Sequence, residues 1–91
     1  METINLRVTK DAIEEFKSSI LWADIVEELN SWKEGFKMEE GSIVEDAAAN
    51  NPSTASVLLH LGDINGRIKA VDYMLSIPDV FISLLESKEE K

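Results

Sequence analysis

The stretch TASVLLHLGDINGRIKAVDYML, residues 54–75, decides the fold. Val57, Leu61, Ile64, Ile68, Val71 and Leu75 recur in it at alternating intervals of four and three residues. A helix with a narrow apolar stripe has this heptad spacing, and such a stripe packs along a second helix. Pro78 is expected to end the helix near residue 77, because proline has no N–H and its ring clashes with the preceding turn.

The partner for that seam lies upstream. Thr9 suits an N-cap, and Asp11, Glu14 and Glu15 suit the positive end of a helix macrodipole. At ~100° per residue, Ala12, Ile13, Phe16, Ile20 and Ala23 share one side. Leu21, Trp22, Ile25, Leu29, Trp32 and Phe36 share the opposite side. A stripe that jumps by half a turn marks either a broken helix or a straight one buried on both faces. The break is placed at Ser18 and Ser19, with Ser19 capping the helix that follows. From there the stripe runs through Ile25, Leu29, Trp32, Phe36, Ile43 and Ala47, polar only at position 39 or 40. Gly35 and Gly41 lie within it, and Ser42 with Glu45 would allow a fresh start at Gly41. The stripe nevertheless keeps its phase, and a glycine costs only about 1 kcal/mol inside a helix. One long helix over residues 19–49, bent at most at Gly41, is the expectation.

Asn50, Asn51 and Pro52 form a tight connection, which makes the two long helices antiparallel neighbours. Val80, Phe81, Leu84 and Leu85 mark a short final helix over 78–87, followed by a solvated tail at 88–91. Near the N-terminus, Ile4, Leu6 and Val8 alternate with Asn5 and Arg7, the period of a strand. No second strand is legible, so residues 1–9 are either a disordered arm or a strand that pairs with another chain. The fold class is therefore all-α, a single domain over 1–91. Its core is a long antiparallel helical hairpin, 19–49 and 53–77, with a short helix at each end, 10–18 and 78–87, and a β-like N-terminal arm.

The 91 residues are 44% apolar and 30% charged, within the range of a folding, water-compatible chain. No apolar run approaches the ~20 residues that cross a bilayer, and no basic-then-apolar leader is visible. The cytoplasm is the default expectation. There is no cysteine, which excludes disulfides and thiolate zinc sites. The net charge of −9 is lopsided: eleven acids stand against Lys17, Lys33 and Lys37 between Asp11 and Asp46. Such a chain is a poor ligand for phosphate backbones or anionic membranes, so neither direct nucleic-acid binding nor membrane binding is expected.

Catalytic chemistry is missing from the pattern. His60 is the single histidine and lies off the seam, so no nucleophile–base pair can form around it and a cysteine. Glu14 and Glu15, Glu27 and Glu28, and Glu39 and Glu40 suit a solvated helix face; a di-metal bundle site wants Glu-x-x-His, and residue 57 is valine. Gly62 to Arg67 lacks the Gly-Lys-Ser/Thr of a phosphate loop. Asp63 and Arg67 are spaced for an i,i+4 ion pair. An enzyme, a metal site and a cofactor are not expected.

The candidate sites are interfaces. Ala55, Leu59, Gly62, Gly66, Tyr73 and Ile77 line up about half a turn from the seam. Gly62 and Gly66, four apart, let another backbone come close. Either a terminal helix of the same chain covers that face or another subunit does. Trp22 and Trp32, ten residues apart on one side of the acidic helix, are core residues or, where exposed, interface anchors. The hairpin is thin enough that a second subunit or a partner surface is a plausible source of further burial.

The run FKSSILWADIVEELNSW, then Asn-Pro, then LGDINGRIKAVDYMLSIPD resembles an uncharacterised family of small acidic helical proteins encoded by tailed bacteriophages. The matching residues are Ser19, Trp22, Asp24 and Ile25, then Gly66, Arg67, Ile68 and Ala70, then Leu75 and Pro78, within about residues 16–82. The resemblance implies a viral setting without assigning an activity or functional residues. It leads to a non-catalytic adaptor or assembly protein acting in particle assembly or DNA packaging. Its partner would be a second copy or a phage structural protein, and its place the host cytoplasm or the virion. The alternative is an early inhibitor of a host or defence protein that mimics DNA through its carboxylates. Against mimicry, Asp24, Glu27, Glu28, Glu34 and Glu45 are read as scattered around the long helix.

Overall fold

The computed structural model describes residues 5–50 and 53–89. It contains three helices: α1, Lys10–Lys17; α2, Ile20–Asn50; and α3, Thr54–Glu89. Among the described residues there is no strand, and residues 5–9 are irregular. The remainder of the expected β-like arm, residues 1–4, lies outside the described residues.

Three hydroxyls set the helix starts. Thr9 Oγ1 accepts from Ala12 N at 3.1 Å and caps α1. Ser19 Oγ accepts from Trp22 N at 3.1 Å, while its carbonyl accepts from Ala23 N. That same hydroxyl donates to Phe16 O at 2.6 Å, so Ser19 ties the end of α1 to the start of α2. Ser53 caps α3, accepting from Ser56 N at 3.1 Å. Each satisfies an N–H that the first turn of a helix leaves unpaired.

α2 and α3 are antiparallel. Lys33 Nζ lies 2.5 Å from Asp72, and the Arg67 guanidinium sits 5.9 Å from the Phe36 ring centroid. Nearer the loop, Glu39 and His60 are 3.7 Å apart. Along α3 the six seam residues are all buried or half-buried, with Ile64 and Val71 sealed from solvent. The facing stripe of α2 is Trp22, Val26, Leu29, Lys33, Phe36, Glu40, Ile43 and Ala47, again in alternating fours and threes. It passes through Gly35 and Gly41 without interruption.

Two expectations are corrected here. Leu21 and Trp32 do not belong to the core stripe of α2: both are exposed, Trp22 and Lys33 hold the seam positions beside them, and Val26 joins the half-buried Ile25. Lys33 fits because its methylene stem can cover apolar surface while its ammonium reaches Asp72 at the rim. The second correction concerns Pro78. It does not separate a helix at 53–77 from one at 78–87, because α3 runs for 36 residues straight through it. Leu75, Pro78, Ile82 and Leu85 prolong the four–three alternation, and Pro78 and Ile82 are buried. An interior proline costs about 3 kcal/mol. Continuous packing on both sides of it offsets that cost, since helices in proteins draw most of their stability from a packed apolar face. The hairpin therefore has one short end helix, not two.

That helix is α1. Lys10 pairs with Glu86 at 3.9 Å and Lys17 with Asp79 at 2.5 Å, which lays α1 antiparallel along the last third of α3. Asp79 holds the Lys17 ammonium above its ordinary pKa by accepting its hydrogen bond; desolvation opposes this, and the charges of Asp79 and Glu14 add to it. The molecule measures 57 × 32 × 16 Å with a radius of gyration of 18.6 Å. A compact chain of this length would have roughly 12 Å. The protein is a single layer of helices, and both long helices turn a back to solvent.

Candidate interaction surfaces

The back of α3 presents Ala55, Leu59, Gly62, Gly66 and Tyr73. Leu59 is 76% exposed and Tyr73 61%. A Cβ added at Gly62 or Gly66 would meet nothing within 4 Å. No terminal helix of the described chain lies on this face. Ile77 departs from the group, turning into a pocket at the α1 end. Charge is balanced across residues 54–75, with Asp63 and Asp72 against Arg67 and Lys69. Asp63 and Arg67 are paired at 2.9 Å.

The pocket is an apolar hollow of about 390 Å³ where the arm, α1, α2 and α3 meet. Val8, Ala12, Phe16, Trp22, Met74 and Phe81 are among its walls. Trp22 is half-buried there, its ring 5.4 Å from that of Phe16 and tilted by 46°. Trp32 is elsewhere, half exposed on the flank of α2, its indole N–H donating to Glu28 at 2.8 Å. Ten residues leave two helical side chains about a quarter turn apart. Trp22 therefore belongs to the pocket, and Trp32 is the exposed tryptophan, the one of the two that stands as an anchor candidate.

The back of α2 is acidic. With Lys33 in the seam, Asp24, Glu27, Glu28, Glu34 and Glu45 fall on the half of the helix turned away from α3, and all are exposed. They are gathered on one side, not scattered. Their spacing along the axis is uneven, with Gly41 and the exposed Met38 between Glu34 and Glu45.

No family model, curated protein or solved structure matches this chain. The surfaces themselves carry the functional argument. Among the described residues, no group of acids and histidine could hold a metal ion, and no helix is long and apolar enough to cross a membrane. Leu59, Gly62, Gly66 and Tyr73 are legible as a set in the sequence, and the pocket is not. Phe16 was legible as apolar, but the pocket wall it shares with Phe81 depends on α3 continuing past Pro78.

Proposed function

We propose that this protein is a non-catalytic helical adaptor or assembly protein of a bacteriophage, working through protein–protein contacts in particle assembly or DNA packaging. The observation that carries the contact half of this reading is the uncovered back of α3, where Leu59 and Tyr73 stand in water on either side of two glycines. Exposed apolar residues on one side of a helix that no other described element covers offer a surface for a protein partner. The phage setting, and with it the host cytoplasm or virion, rests on the sequence resemblance.

A second reading is supported by the acidic back of α2. Carboxylates on one side of a rod can occupy a basic groove, which favours an inhibitor of a DNA-binding host or defence protein. Capture by the immobilised chain from phage-infected cells separates the two. Adaptor function predicts that a capsid or portal protein is retained, resists high salt, and is lost with Leu59→Glu. Retention of a DNA-binding protein that high salt releases supports mimicry and overturns the adaptor reading.

A further inference from the structure

We propose that the back of α3 pairs with the same face of a second copy, antiparallel, about a two-fold axis at Gly66. This rests on the protein–protein reading and names its partner. Three observations select a second copy. The first is charge. In a chain of net −9, self-association through most faces is opposed, but residues 54–75 are electrically balanced and the acidic back of α2 would point outward.

The second is self-complementarity, which a two-fold contact requires. Residues equidistant from 66 come level with each other in an antiparallel pair. Leu59 then meets the partner's Tyr73, and Gly66 meets the partner's Gly66 at the point of closest approach. Asp63 comes level with the partner's Lys69, and Lys69 makes no ion pair among the described residues. A parallel pair would instead set Asp63 beside the partner's Asp63 and Lys69 beside the partner's Lys69. Like charges at matched heights disfavour that arrangement.

The third is access. Among the described residues, no side chain from elsewhere in the fold lies within 4 Å of a Cβ built at Gly66 or Gly62, so a second backbone can approach there. A two-fold contact of this kind uses the face up in both copies and stops at the dimer.

Because the chain has no cysteine, single thiols report the geometry cleanly. Gly66→Cys, Leu59→Cys and Tyr73→Cys all lie on exposed positions, and circular dichroism checks that each keeps the helical fold. With a short bismaleimide cross-linker, Gly66→Cys is expected to link to itself. Leu59→Cys alone is expected not to link, but to link when mixed with Tyr73→Cys. Failure of Gly66→Cys to self-link together with failure of Leu59→Cys to link to Tyr73→Cys overturns the dimer, and self-linking of Leu59→Cys overturns the antiparallel arrangement. Capture of a phage structural protein by a chain that fails to link would leave the adaptor reading standing, so the two failures are distinguishable.

Discussion

The two long helices share one seam and differ in their backs. On the seam side they are alike: each alternates fours and threes, and each tolerates a residue that local rules disfavour, Gly41 in α2 and Pro78 in α3. On the solvent side α2 carries a bank of carboxylates, whereas α3 carries Leu59, two glycines and Tyr73. The α2 back also exposes Ile20 and Met38, so the difference between the two backs is one of charge: α2 is strongly acidic there and residues 54–75 of α3 are balanced. Without that repulsion, the α3 back is the surface we propose a partner covers.

The comparison breaks first at the seam. Ile64 is 0% exposed, so Ile64→Ala should destabilise the protein by about 2–5 kcal/mol in urea denaturation. Two residues on, Gly66→Ala should raise the stability of the dilute protein by about 1 kcal/mol, because alanine is the better helix former and meets nothing there. Equal signs for the two would mean that seam and back have been misassigned.

Next in size is Pro78. Alanine there restores a helical N–H and removes a clash worth about 3 kcal/mol, and loses apolar ring carbons worth about 1–2 kcal/mol. Pro78→Ala should therefore raise the thermal midpoint. A fall would show that the proline ring contributes more to the seam than the break costs. Ser19→Ala should cost about 1 kcal/mol, the usual loss for an N-cap, and here the hydroxyl also holds Phe16 O. Unchanged or higher stability would mean that α1 and α2 behave as one straight helix.

Most of this hairpin was legible because its signals are periodic. The phase of α2 carried across Gly35 and Gly41, and the same reasoning applied to Pro78 would have carried α3 to Leu85. Proline is a local stop signal, and tertiary packing overrides it here. Trp32 misled for a related reason: a large aromatic draws attention from its neighbour, yet Lys33 keeps the four–three phase and Trp32 does not. The pocket was illegible because it depends on where α1 lands, which the ion pairs to Asp79 and Glu86 register and no periodicity encodes.

The smallest effect concerns that landing. Lys17 has a raised pKa, so its contribution to docking is fully present below the ordinary value of 10.5 and is lost as pH rises through the raised one. Thermal midpoints of Lys17→Met should therefore fall less steeply over this alkaline range than those of the parent. An identical slope would show that α1 is held by Ile13 and its apolar neighbours alone.

The proposed contact lies on the back of α3 and not on the acidic back of α2. Static light scattering of the full chain, at low and at high salt, tests it most directly. An apolar, charge-balanced contact predicts twice the 10.2 kDa chain mass, holding or strengthening as salt screens repulsion between the acidic copies. A mass of 10.2 kDa at both salt concentrations contradicts it for the second copy, and a dimer that dissolves in salt would place the contact on the charged surface instead.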